Sequence, residues 1–162
     1  MSVFKSQFSR AIRAHDSDNA VIANPSTFVV TGTNTTATAF KLISSSATFI
    51  TNNIKTGDVV HNDTLEEAAT VVSVDSETQL TLNANIFTAT AQIYTVYAMS
   101  SQSGIGNTGC NLYVGGAGNV SVVTIGGDIA TFFAVPVGTV LPVQVVKLRT
   151  TSTTATNVMG LW

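Results

Sequence analysis

Charged residues are scarce in this chain of 162 residues. Asp, Glu, Lys and Arg together make up 10 % of the sequence, against roughly 25 % in ordinary soluble domains, and the mean hydropathy is +0.34. A chain with so few charges has little polar surface to present to water, so we expect part of its surface to be covered by other copies or other proteins. The composition favours an assembling component over a free enzyme.

The chain also lacks an excess of positive charge and a long apolar run. Seven Lys and Arg residues stand against nine Asp and Glu, whereas nucleic-acid-binding domains usually carry a basic patch, so we predict no nucleic-acid partner. The most apolar stretch, residues 132–146, contains Pro136 and Pro142 and is shorter than the roughly 18–20 residues of a spanning helix. The first ten residues lack the apolar core of a signal peptide. We predict no membrane partner.

Cysteine and histidine, the residues behind many metal sites and catalytic bases, are nearly absent. Cys110 alone forms neither an internal disulfide nor a thiolate metal cage, and we expect it to be buried. Only His15 and His61 offer a base for a serine hydrolase, and no G-x-S-x-G motif is present. The few acidic residues fall mostly at predicted turns, whereas a glycosidase needs two carboxylates in a cleft. We therefore predict no enzymatic activity, no catalytic residue and no cofactor.

Two short patterns look like binding motifs but lack the required context. Residues 104–109 match G-x-G-x-x-G, but a predicted strand follows them where a nucleotide site needs a helix, so a flexible linker is favoured. Asp58, His61 and Asp63 are metal-ligand types, but positions 58 and 61 of a strand face opposite sides, while 61 and 63 share one. A polar strand edge is favoured, and no metal site is predicted. An enzyme would instead need a cleft that holds His61 with a carboxylate.

Patterns typical of β-strands dominate after residue 26. Short β-branched runs between turn residues predict six or seven strands within residues 27–98, one of them around Phe49, and four within 110–162. Hairpins are predicted at residues 70–82 and at a two-residue loop, Gly126-Gly127. We predict an all-β protein of two small antiparallel sandwich or barrel modules. The predicted divisions are an N-terminal amphipathic arm (1–26), a barrel-like module (27–98) that is an independent domain or an insertion, a linker (99–109) and a C-terminal β module (110–162).

The two ends of the chain supply the candidate assembly contacts. Phe4, Phe8 and Ile12 recur every four residues with basic residues between them, which predicts a short amphipathic helix. We expect this helix either to pack on its own domain or to dock on a neighbouring subunit. On the docking hypothesis, removing residues 1–26 weakens assembly and leaves the β modules folded. The chain ends in Leu161 and its only tryptophan, Trp162, which we expect to be packed in the core or at a subunit contact.

The C-terminal part follows a series of motifs. Leu112-Tyr113-Val114-Gly115 precedes V-P-x-G-T-x-L-P-V at residues 135–143, a Thr-rich stretch at 153–156 and the final Leu161-Trp162. In order and spacing these motifs resemble the head spike base protein of tailed phages and gene transfer agents. Two departures are that the first 110 residues lie outside that module and that residues 151–153 lack an expected glycine. More weakly, residues 55–97 resemble small β domains of phage structural proteins.

The resemblance implies a non-enzymatic virion protein on the capsid surface of a phage-like particle. It implies a capsid decoration or cement protein, or the base of a head spike or fibre. The implied partners are the major capsid protein or other virion proteins, together with further copies of the chain, with a trimer favoured. The alternatives are a tail, neck or tail-fibre-base component, or a carbohydrate-binding, adhesin-like module. The last predicts an exposed aromatic platform among Tyr94, Tyr97, Tyr113 and Trp162.

Overall fold

The computed structural model describes residues 8–99 and 109–162, and these parts are built from β-strands. Besides a single 3₁₀ turn at Pro25–Thr27, the described residues contain no helix, so none there is long and apolar enough to cross a membrane. The all-β prediction is confirmed. The strands are β1 (Ala11–Arg13), β2 (Phe28–Thr33), β3 (Lys41–Ile43), β4 (Val59–Asn62), β5 (Glu67–Ser76), β6 (Gln79–Leu82), β7 (Ile93–Tyr97), β8 (Asn111–Gly116), β9 (Gly118–Thr124), β10 (Ile129–Val135), β11 (Val145–Leu148) and β12 (Thr156–Leu161).

Strands β2 to β7 form one antiparallel sheet in the order β2-β7-β4-β5-β6-β3, which we call the central module. The long strand β5 pairs with β4 through its first residues and with β6 through its last. The chain leaving β2 forms an isolated bridge between Thr36 and Ile43 of β3, so the two edges of the sheet come together around a core. This first core includes Leu42, Phe49, Val60, Val71, Leu80, Phe87, Tyr94 and Val96.

Two local predictions for the central module have different outcomes. The hairpin at residues 70–82 is confirmed as β5 and β6. The prediction of a strand around Phe49 is wrong. Residues 49–53 form turns, and Ile54 N–H donates to Phe49 C=O at 3.0 Å. The Glu77 carboxylate accepts the N–H groups of Ile50 and Thr51 and so fixes this turn. Phe49 lies in a turn, yet its side chain is fully buried. An apolar sequence pattern does not distinguish such a buried turn from a buried strand.

The C-terminal module consists of two three-stranded antiparallel sheets, β1-β12-β8 and β10-β9-β11. The loop between β9 and β10 has four residues, 125–128, not the predicted two. Thr124 N–H donates to Asp128 C=O, and Gly127 takes a φ of +92°. A glycine adopts this left-handed conformation without steric cost. The two sheets enclose a second core that includes Leu112, Val114, Val120, Val122, Leu141, Val145, Leu148 and Val158.

The predicted N-terminal helix is wrong where the structure describes it. Residues 11–13 form β1, which pairs with β12 in the register Ala11–Leu161, Ile12–Gly160 and Arg13–Met159. A helix of three turns is marginal in water, whereas the edge of β12 offers the backbone of β1 immediate hydrogen-bond partners. Phe4 lies outside the described residues.

Residues 14–24, which we call the linking segment, pack on both modules. Its apolar side chains divide between two clusters: Ala14 and Ile22 belong to the second core, while Ala20 and Ala23 belong to a third. Its Ser17 donates backbone N–H to Leu148 C=O at 2.8 Å and Oγ–H to Ala68 C=O at 2.9 Å. The segment is therefore integral to the fold. The third cluster contains Ala20, Ala23, Val59, Ala68, Tyr97 and Met99.

Candidate functional site

The exposed apolar side chains of the C-terminal module concentrate in residues 125–140, which we call the apolar segment. Phe133 is 76 % exposed and Ile129 is 65 % exposed. Among the described strands, β10 pairs only with β9, so its other edge is open. No charged residue occurs between Asp128 and Lys147. The segment thus presents apolar side chains and an open strand edge together. Its exposed large apolar residues are Ile125, Ile129, Phe133, Val137 and Val140.

The V-P-x-G-T-x-L-P-V motif lies against the Leu112-Tyr113-Val114-Gly115 motif. Gly138 N–H donates to Val114 C=O and Leu141 N–H donates to Leu112 C=O, each at 2.8 Å. Val135 and Leu141, at fixed positions of the motif, are buried, while Val137 and Val140, at its variable positions, are exposed. The fixed apolar positions thus build the core, and the variable ones form part of the surface.

Three of the predicted assembly contacts come together at the two ends of the chain. Phe8, Leu161 and Trp162 line a groove of about 300 Å³, and Trp162 N–H donates to Arg10 C=O at 2.9 Å. Phe8 is exposed, while Trp162 packs against the second core. Ile12 packs against the third cluster of its own chain. The contact that the structure gives Ile12 is therefore intramolecular.

Two further predictions concern individual side chains. Cys110 is buried as predicted, and burial raises the pKa of its thiol to about 12, which keeps it protonated and unreactive at neutral pH. Two of the four residues proposed for an aromatic platform are buried. Tyr94 is 1 % exposed and packs against Phe49 in the first core, with ring centroids 5.9 Å apart and ring planes at 58°, and Tyr97 is also buried.

The most polar buried site joins the linking segment to the central module. His61 projects from β4 and lies against His15, with ring centroids 4.2 Å apart. Both histidines are buried. Asp58, which the sequence grouped with His61, lies elsewhere and accepts the N–H of Lys55 at 2.8 Å. No spacing pattern in the sequence points to His15, because only the path of the linking segment brings it to the sheet.

Asp63 completes this histidine site at the surface. One potential ligand atom from each of His15, His61 and Asp63 lies within 4.8 Å of the other two, and an Asp63 carboxylate oxygen accepts the Thr95 hydroxyl at 2.6 Å. Burial, and after it the nearby His15, lowers the pKa of His61 well below 6.5. Both imidazole Nδ1 atoms lack a hydrogen-bond partner among the described residues. His61 is only 2 % exposed, whereas Asp63 is exposed.

The remaining motif falls mainly outside the described residues. Of the G-x-G-x-x-G pattern at residues 104–109, only Gly109 is described, immediately before β8. Comparisons with protein-family models, curated proteins and solved structures found no significant match. The resemblance to the head spike base family therefore stays a prediction from the sequence motifs.

Proposed function

We propose that this chain is a non-enzymatic structural protein of a phage-like particle, a capsid decoration or cement protein or a head spike base, that binds the shell and self-associates. The observation that carries the proposal is the apolar segment, where large apolar side chains surround an open strand edge. The same segment contains most of the V-P-x-G-T-x-L-P-V motif on which the resemblance rests.

The open edge of β10 favours a protein partner. An unpaired strand edge exposes N–H and C=O groups that template pairing with another chain, and monomeric proteins usually protect such edges with charged residues or prolines. Here the edge strand runs from Ile129 to Val135 without a charge or a proline. Exposed apolar side chains flank it. A surface of this kind is stable when another chain covers it.

We propose a second copy of this chain as the occupant of the apolar segment, within a trimer that binds the major capsid protein. The absence of charge from residues 129–146 lets identical copies approach without like-charge repulsion, which would oppose contact between identical charged surfaces. Closed symmetric assemblies are the usual form of homo-oligomers. Burial of the apolar segment in such an assembly also accounts for the scarcity of charge in the chain.

The mass of the purified protein in solution, measured by light scattering behind a sizing column, tests self-association. We expect a trimer for the wild-type chain and a shift towards monomer for Ile129→Thr and Phe133→Ser. The matched controls are Ile93→Thr and Phe28→Ser, since Ile93 and Phe28 are similarly exposed on the central module. A wild-type monomer, or a trimer that both apolar-segment variants preserve, contradicts the proposed role of this segment.

Binding to the particle is tested separately. Shells assembled from the cognate major capsid protein are sedimented with the wild-type chain and with Phe133→Ser. We expect the wild-type protein to co-sediment with saturation at a fixed copy number per shell. Absence of the wild-type protein from the pellet contradicts the proposed location on the capsid surface, whatever the oligomeric state.

A further inference from the structure

The histidine site leaves polar atoms unsatisfied in the interior. His15 is 9 % exposed and His61 is 2 % exposed, and among the described residues the Nδ1 atom of each ring has no hydrogen-bond partner. Buried polar atoms in folded proteins nearly always have a partner, so an unpaired one calls for an explanation such as a bound ion. Two such nitrogens in touching rings indicate a shared ligand.

The elements around the two rings place a carboxylate beside them. Positions 61 and 63 lie on the same face of the extended chain at the end of β4, and the linking segment delivers His15 to that face. Ligand atoms of the three residues lie within 4.8 Å of one another. Asp63 is exposed while both histidines are buried, so an ion can enter from its side.

We propose that His15, His61 and Asp63 bind a divalent transition-metal ion of the zinc type, which ties the linking segment to the central module. Imidazole nitrogens and a carboxylate oxygen are a ligand set that zinc uses in proteins. Zinc bonds of 2.0–2.1 Å place tetrahedral ligand atoms about 3.3 Å apart. Binding therefore draws the three side chains inward by rotation of their side-chain torsions.

The charges around the site favour a cation. Asp16 follows His15 in the linking segment and lines one cavity together with Glu67, so both carboxylates face the same region. Arg13, the nearest basic residue in sequence, is paired with Glu66.

The test is zinc binding by the tag-free full-length chain. The protein is dialysed against zinc chloride and then against metal-free buffer, and the retained zinc is measured together with the affinity by competition with a chromophoric chelator. We expect one zinc ion per chain and a higher thermal midpoint. Asp63→Asn and His15→Gln each weaken binding at least tenfold, while Asp128→Asn, which alters an exposed turn carboxylate of the C-terminal module, leaves it unchanged.

A second readout tests the coupling to the linking segment. Hydrogen exchange at the backbone amides of Ser17, Ala20 and Ile22 slows on zinc addition in the wild-type chain and stays unchanged in Asp63→Asn. Because Asp63 is exposed, this variant keeps the fold and decides the test even where His15→Gln does not fold. No retained zinc, or equal zinc affinity in Asp63→Asn and the wild type, overturns the proposal.

Discussion

At the scale of single residues, the carboxylates of this chain work mainly as hydrogen-bond acceptors that fix turns and hairpins. Asp75 on β5 is the clearest case. Its oxygens accept hydrogen bonds at 2.7–2.8 Å from the side chains of Lys41, Ser73, Gln79 and Thr81. These bonds hold the pKa of Asp75 far below 3.8, those from Gln79 and Lys41 contributing most. One acidic residue thus connects three neighbouring strands, β3, β5 and β6.

Replacing Asp75 with Asn tests this connection. Charge-assisted hydrogen bonds are stronger than neutral ones, so we expect Asp75→Asn to lower the free energy of unfolding by about 1 kcal/mol at pH 7, allowing for the partial exposure of the site. The folded-state pKa lies below the unfolded one, so this contribution is present above pH 3.8. It is lost as the pH falls towards the folded-state value.

Urea unfolding of wild type and Asp75→Asn at a series of pH values measures this difference. The stabilities of the two proteins converge as the pH falls below 3.8. The control is Asp128→Asn, because Asp128 is exposed in the β9–β10 turn. Measurements at about pH 7 and about pH 3 bracket the titration. If the free energies of unfolding of the two proteins differ equally at both pH values, the effect is not electrostatic.

At the scale of elements, the linking segment determines how the two modules are joined. It carries side chains into two apolar clusters and donates backbone N–H groups to the C-terminal module, including Ile22 N–H to Val146 C=O at 2.9 Å. Its Ser17 and Asn19 also bond to the central module, where Asn19 C=O accepts the Thr70 hydroxyl at 2.9 Å. Removal of residues 1–26 removes β1 and part of two clusters, so we expect the truncated chain to lose stability, in contrast to the docking hypothesis.

A single side chain of the linking segment is enough to test this role. Ile22 is 4 % exposed in the second core, so we expect Ile22→Ala to lower the free energy of unfolding by about 2–4 kcal/mol through lost burial and a cavity. The matched control is Ile50→Ala, since Ile50 is 57 % exposed and its truncation costs less than about 0.5 kcal/mol. Chemical denaturation measures both values, and equal losses refute a packing role for the segment.

At the scale of the whole molecule, the two modules share a packed junction and are not independent domains joined by a flexible linker. The third cluster places Ala20 and Ala23 of the linking segment against Val59 and Tyr97 of the central sheet. The strand preceding that segment, β1, belongs to a sheet of the C-terminal module. Disruption of one module therefore exposes apolar surface of the other.

We expect this shared junction to make the chain unfold as one cooperative unit. Trp162, the only tryptophan, reports on the C-terminal module, while far-UV circular dichroism reports on all strands. The two signals change with the same midpoint in a urea titration, as two-state unfolding requires. Separate midpoints contradict the coupling. As a control, the titration is repeated at a second protein concentration, because a midpoint that depends on concentration shows that unfolding is linked to dissociation of an oligomer.

Local patterns in the sequence determined the class of fold and most of its strands. Short β-branched runs between turn residues predicted β2 to β11 in place, because side-chain period and turn chemistry act over a few residues. The same patterns predicted a buried Cys110 and the hairpin of β5 and β6. The scarcity of charge is likewise a property of the sequence alone.

Tertiary structure decided the features that depend on residues distant in sequence. The stretch containing Ile12 has helical periodicity, but the edge of β12 makes it a strand. Phe49 has a strand-like apolar context, yet packing buries it from a turn. His15 and His61 come together only because the linking segment crosses the outer face of the central sheet. Strand-edge pairing and core packing are long-range interactions, and their free energies override local preference.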